Sequence, residues 1–178
     1  EPGGTFISDQ VRNVLLNRPE NSAMHPRTEI LLFLASRAQL VEERIRPALL
    51  EGTIVLCDRY ADSTLAYQGY GHGVDLDTLR SLLAFATGGL QPDLTILLDV
   101  SPEEGLRRRK KGGGEWNRLD AFALAFHERV RQGYLEMAHQ QPGRWHIVDA
   151  HQSPDMVQSE IRQVVLSRLQ PPAANRIL

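Results

Sequence analysis

"TIVLCDRYADSTLAYQG", residues 53–69, decides how the rest of the chain is read. An apolar run from Thr53 to Cys57 leads directly into the opposite charges Asp58 and Arg59. A polar segment carrying Ser63, Thr64, Tyr67 and Gln68 follows. A short continuous apolar run of this kind predicts a strand buried on both faces of a parallel sheet. Ligands of open parallel sheets sit beyond the carboxyl ends of the strands, where Asp58 and Arg59 fall. A strand capped by a surface ion pair and followed by a solvated polar helix would look much the same. The remaining chain must separate the two readings.

Outward from this stretch, helical and strand patterns alternate. Upstream, residues 8–17 carry Val11, Val14 and Leu15 on one stripe, with Ser8 as the expected N-cap. Residues 18–26, with Pro19 and Pro26, read as a loop. A long amphipathic helix is expected from Arg27 to Glu51, with Ile30, Leu34, Val41, Ile45 and Leu49 at helical spacing. Downstream, 60–69 reads as a short helix and "DLDTLRSLLAFATGG" as another with a glycine stop. "DLTILLDV" (93–100) and "WHIVDA" (145–150) read as strands, ending near Asp99 and Asp149. "SPEEGLRRRKK" has a cap, an N1 proline and acids at the positive end of the helix dipole. Helices are expected over about 119–140 and 153–169. Strands separated by helices predict an α/β layered fold with a mainly parallel sheet.

Composition narrows the class. With 178 residues, 42% hydrophobic, 24% charged and a net charge of −2, the chain reads as one globular domain without a global pull toward nucleic acid or anionic membrane. The single cysteine, Cys57, excludes an intramolecular disulfide framework, suits a reducing cytoplasmic setting, and is expected in the core. No apolar run approaches the roughly 20 residues of a membrane span. The histidines show no metal-ligand spacing, and no nucleophile motif occurs.

Four groups of residues carry chemistry. The Arg59 fork suits a phosphate or carboxylate, and Asp58 beside it could hold Mg²⁺ through water. Thr64, Tyr67 and Gln68 stand at i, i+3 and i+4, one face of a helix suited to packing a sugar and bonding a base. Phe33 and Arg37, four apart on the long helix, pair a stacking ring with a cation. Arginine has donors only, so it accepts O4 of thymine or uracil and rejects the N4 amine of cytosine. Phe33 in the core with Arg37 on the surface is the plainer alternative. Finally, five cations at 107–111 precede three glycines, which suits a mobile basic lid over phosphates or, more simply, a solvated face.

With these residues in order, the chain closely resembles bacterial thymidylate kinases. The resemblance rests on "EPGGT", "LLFLASRAQLVEERIRPALLEG", "VLCDRYADSTLAYQG", "PDLTILLDVSPEEGLRR", "NRLD" and "IVDA". It implies a three-layer α/β, P-loop nucleotide-kinase fold, with one domain over 1–169, a lid at about 107–118 and a flexible tail at 170–178. It implies ATP-dependent, Mg²⁺-assisted phosphorylation of dTMP to dTDP by a cytoplasmic homodimer that engages neither nucleic acid nor membrane. Phe33 would stack on thymine and Arg37 would bond its O4. Arg59 would hold the acceptor phosphate, Asp58 would support the metal through water, and Pro2 would wall the monophosphate site. Thr64 and Gln68 would contact the base, while Tyr67 packs on the deoxyribose. Catalytic arginines would come from the lid, somewhere among the cations Arg107, Arg108, Arg109, Lys110 and Lys111 that face ATP, with Arg108 and Arg118 foremost.

Two departures stand out. Asn117 occupies the place of a family aspartate, with Asp120 standing for the following acid. The family's G-x-x-x-x-G-K-[ST] loop, expected ahead of "EPGGT" within a first βαβ unit, does not occur in these residues. A truncated kinase and a catalytically inactive nucleotide-binding or scaffold protein therefore both fit. A small nucleic-acid binder using "RRRKK" is the weakest alternative, because no aromatic platform surrounds that run.

Overall fold

The computed structural model describes residues 1–16, 21, 23–112 and 122–169. Asn117, Arg118, Asp120, the far part of the expected lid and the 170–178 tail lie outside the described residues.

Helix α1 (Phe6–Leu16) opens one turn earlier than the Ser8 cap predicts. Thr5 is the residue that caps it, its Oγ1 accepting from the Ser8 N–H at 3.1 Å. Ser8 itself is buried, and its hydroxyl donates to the Ser36 carbonyl, tying α1 to the next helix. That helix, α2 (Pro26–Leu40), starts on a proline at its first turn, continues through a π-helical turn Val41–Ile45 and ends as α3 (Arg46–Leu50). Ile30, Leu34, Val41 and Ile45 of the expected stripe are buried. Leu49, one turn further on, is not.

Next comes α4 (Ala61–Thr64), prolonged by a π-helical segment Leu65–Gly71. Asp75 caps α5 (Leu76–Thr87), and Gly88, in the left-handed region at φ 58°, closes it. Strand β1 (Thr95–Asp99) leads into α6 (Pro102–Lys111), capped by Ser101 as the sequence suggests. Helix α7 (Leu124–Gln140), strand β2 (Trp145–Asp149) and α8 (Pro154–Leu169) complete the order.

Among the described residues the sheet has two strands, β1 and β2, parallel and in register from Thr95 opposite Trp145 to Asp99 opposite Asp149. Residues 53–57 run without regular structure and form no ladder there, which corrects the strand expected from them. With no sheet neighbour on either side, alternate side chains stand in solvent: Ile54 is 63% exposed and Leu56 89%. Cys57 is exposed for the same reason, against the expected core position. The apolar run wants a sheet, but a run of one strand cannot supply its own partner.

Two packed layers matter for the site. Phe126, Val130 and Met137 of α7 pack with Trp145 and with Ala66 of the π-helical segment. Ile30 and Leu34 of α2 pack with Leu79 and Leu83 of α5. The Thr64–Gln68 stretch is thereby held between α2 and α7.

Candidate acceptor site

The segment Glu1–Gly4 must be threaded before any cavity exists. Gly3 and Gly4 take φ of 127° and 95°, which side-chain-bearing residues rarely adopt, and a Cβ on Gly3 would sit 2.8 Å from Asp9 Oδ1. Gly3 N–H donates to Ser36 Oγ at 3.3 Å, and the Pro2 carbonyl accepts from Arg12 Nη1 at 2.7 Å. This turn delivers the Glu1 carboxylate to Arg37.

Arg37 is fully buried, 1% exposed. Its Nε and Nη2 donate to Glu1 Oε2 at 3.0 and 2.8 Å, and Nη1 donates to Thr64 Oγ1 at 3.0 Å. A guanidinium has five N–H groups. Three are used here, so one hydrogen on each terminal nitrogen stays available to a ligand. Beneath it lies the Tyr60 ring, 5.7 Å from the guanidinium carbon. Burial pushes the Tyr60 phenol up to about 12, so it stays neutral.

Arg59 has φ 66°, the left-handed region, in a non-glycine residue. Strain of this type is typical of functional sites. The turn lays the guanidinium 5.0 Å from the Tyr67 ring centroid, with Nη2 donating to the Tyr67 hydroxyl at 3.2 Å. Desolvation works against the Arg59 charge, yet Tyr67, Tyr134 and Asp58 hold its pKa above the ordinary value. Tyr67 also meets Phe126 edge-on at 6.0 Å. Burial drives the Tyr134 phenol up to about 12, and it donates to Ser63 Oγ at 2.8 Å. Cys57 lies next to this turn and donates to the Arg59 carbonyl at 3.1 Å.

These side chains face one cavity of about 190 Å³, lined by Pro2, Phe33, Arg37, Asp58, Arg59, Thr64, Tyr67 and Gln68 among others. It brings together every residue expected to touch an acceptor nucleotide. A larger hollow of about 660 Å³ lies along Ile54–Asp58 and Leu40–Ala48. Aliphatic side chains of both stretches line it together with Asp9 and Arg44, and it shares Glu1, Pro2, Arg12 and Asp58 with the smaller cavity.

The basic run is elsewhere. Glu104 takes bidentate bonds from Arg107 and a third from Arg108, all at 2.6 Å. Arg108 Nη1 also reaches the Ala150 carbonyl at 2.7 Å, beyond the end of β2. None of Arg107 to Lys111 lines the 190 Å³ cavity. The strand-end aspartates are engaged locally: Asp99 receives two 2.7 Å bonds from Arg131, and Asp149 pairs with His151.

The family model for thymidylate kinase matches residues 1–161. The chain belongs to the thymidylate kinase family. It is 52% identical over 177 residues to the thymidylate kinase of Roseiflexus castenholzii, covering 93% of this chain and 77% of that relative. Against the thymidylate kinase of Trichlorobacter lovleyi it is 48% identical, over 97% of this chain and 83% of the relative. Against that of Thermomicrobium roseum it is 55% identical, over 88% and 73%. Membership of the thymidylate kinase family carries an α/β nucleotide-kinase fold and a phosphotransferase activity toward dTMP.

The structure also lines this thymidylate kinase cavity with residues that motif reading missed: Glu1, Arg12, Ser63 and His127. Arg12 had a signal, a cation flanking the apolar stripe of α1, but an exposed arginine on a helix is commonplace. Glu1, the first residue of "EPGGT", had one only in hindsight, because its partner is 36 residues away. His127 belongs to α7, whose approach to α4 depends on the Phe126 packing.

Proposed function

We propose that this chain binds dTMP in the 190 Å³ cavity and serves as the acceptor half of ATP-dependent phosphoryl transfer, yielding dTDP. One observation carries the reading: a single cavity gathers Phe33, Arg37, Arg59, Thr64, Tyr67 and Gln68. Phe33 stacks on the pyrimidine, and the spare Arg37 hydrogens meet O4. Arg59, braced by Tyr67, holds the 5′-phosphate, and Pro2 and Tyr67 enclose the sugar. Packed on the sugar, Tyr67 would disfavour a 2′-hydroxyl.

The donor set suits Mg²⁺ of the nucleotide type. Among the described residues no group of three metal-ligating side chains occurs. With Glu1 committed to Arg37, Asp58 in the cavity lining fits an ion that keeps its waters and takes its other ligands from phosphates. Bound there, Mg²⁺ would neutralise phosphate charge. Arg107 to Lys111, with Arg108 and Arg118 foremost, are the proposed donor-side cations. Homodimerisation and a cytoplasmic setting belong to the same proposal; no helix among the described residues is long and apolar enough to cross a membrane.

Calorimetric titration tests the acceptor reading. Phe33→Ala should weaken dTMP binding by on the order of tenfold, the scale of one stacking contact. Unchanged affinity would remove the base from this cavity. A nucleotide-binding module without turnover is the alternative reading. Incubating the 178-residue chain with ATP, Mg²⁺ and dTMP separates the two readings, since binding without turnover marks it as a nucleotide-binding module.

A further inference from the structure

Glu29 is a carboxylate only 2% exposed, one turn before Phe33 and two turns before Arg37 on the same face of α2. It does not line the cavity. Its Oε1 accepts a 2.8 Å hydrogen bond from Nε2 of Gln68, which is also 2% exposed and does line the cavity. The bond joins two helical segments 39 residues apart.

The two ends of an amide differ in what they offer: one donates and the other accepts. A carboxylate accepts only, so it selects the amine end of Gln68 and leaves Oε1 as the group available to the cavity. We propose that Glu29 is a positioning residue that fixes the Gln68 amide, so that the cavity presents an acceptor beside the Arg37 donors and thereby selects pyrimidines with a protonated N3. This rests on the dTMP reading of the cavity and deepens it.

The chemistry follows from base edges. Thymine offers an N3–H donor beside the O4 acceptor, complementary to Gln68 Oε1 beside the Arg37 N–H groups. Cytosine offers an N3 acceptor beside an N4 amine donor, and both clash in sign with that pair. A reversed Gln68 amide would present a donor to N3 and remove half of the discrimination. Arg37 is oriented in a parallel way, since the Glu1 carboxylate, itself 1% exposed, clamps Nε and Nη2. Both base-reading groups are therefore held from behind by buried carboxylates.

The test is the ratio of dissociation constants for dTMP and 5-methyl-dCMP, which share shape, sugar, phosphate and methyl group and differ in the N3/C4 pattern. The wild-type chain should prefer dTMP by on the order of 100-fold or more, as sites built to pair a polar group do. Glu29→Gln keeps the volume but can donate as well as accept, so the Gln68 amide is free to reverse. The ratio should then fall by roughly tenfold, about the worth of one hydrogen bond with a buried partner left unsatisfied. The double variant Glu29→Gln, Gln68→Glu exchanges donor and acceptor and again leaves an acceptor toward the cavity. It should return the ratio to within about threefold of wild type, a rescue that loss of packing alone would not show. The exchange leaves the net charge unchanged, and the effect of the moved carboxylate on the phosphate is common to both ligands.

An undiminished ratio in Glu29→Gln, or a double variant no better than the single one, overturns the proposal. A wild-type chain with no preference overturns the dTMP reading instead. Should Glu29→Gln fail to fold, the double variant carries the test alone. In the wild-type chain, nuclear Overhauser contacts from the Gln68 Nε2 hydrogens to the Glu29 methylenes are expected with dTMP bound. Their absence, with contacts from those hydrogens to the ligand instead, also overturns the proposal.

Discussion

Two arginine–carboxylate arrangements in this chain have nearly the same bond lengths and opposite meanings. At the cavity, Glu1 and Arg37 meet at 2.8 Å with side chains 1% and 2% exposed. On α6, Glu104 meets Arg107 and Arg108 at 2.6 Å with the arginines about half exposed, at 52% and 46%. Water competes for every bond of the second arrangement and for none of the first. The cavity pair is consequently a fixed instrument, held by Thr64 and Tyr60 as well, while the α6 fork can exchange Glu104 for another anion at little cost. That difference suits a base reader in one place and a cation store in the other. Asp99 and Arg131 lie between these extremes, 19% and 40% exposed.

The comparison can be broken most decisively at Arg37. Arg37→Ala leaves the Glu1 carboxylate buried without its cation, so urea unfolding should show a loss of about 3–5 kcal/mol. Affinity for dTMP should fall by on the order of 100-fold. A stability loss under about 1 kcal/mol would place this pair with ordinary surface pairs and end the contrast.

The intermediate pair sharpens it through pH. Hydrogen bonds from Arg131 hold the Asp99 carboxyl below its ordinary range. Unfolding restores the ordinary value, so on acidification the unfolded chain takes up this proton first. The contact's contribution is whole above about pH 4 and fades as pH falls through the depressed native value. Arg131→Gln should therefore cost about 0.5–1 kcal/mol near neutrality, reduced by solvent screening, and flatten the acid limb of the stability curve. Equal losses at neutral and strongly acidic pH would show that Asp99 is not the group responsible.

The smallest effect belongs to α6. Arg107 and Arg108 draw the Glu104 carboxyl down to about 2. The half-exposed arginines remain open to salt and water, which makes the fork a weak contributor. Glu104→Gln should leave the thermal midpoint within the scatter of replicate melts at physiological salt. A clear drop in midpoint would mean that the fork is more than a surface pair.

Much of the fold was legible because its signals are local. The Gly88 stop and the Ser101–Pro102 start act within one helical turn, and each appears where expected. Ser8 misled because it is a good cap that serves a different purpose, bonding α2, while Thr5 takes the capping role. The π-helical turns at Val41–Ile45 and Leu65–Gly71 left no pattern in the sequence. Residues 53–57 show the limit most clearly: the run is apolar enough for a buried strand, yet a ladder depends on a neighbour that no local pattern supplies.

The candidate site divides in the same way. The sequence by itself determined which groups read the ligand, because Phe33 with Arg37 and Thr64 with Tyr67 and Gln68 follow helical spacing, which is a property of one segment. Only the tertiary structure decided that they share one cavity and that Glu1 and Glu29 hold two of them from behind. The physical reason is range. Backbone periodicity places side chains over a few residues, whereas the pairings Glu1–Arg37 and Glu29–Gln68 span 36 and 39 residues and exist only once α2 packs beside the Thr64–Gln68 stretch and excludes water from both.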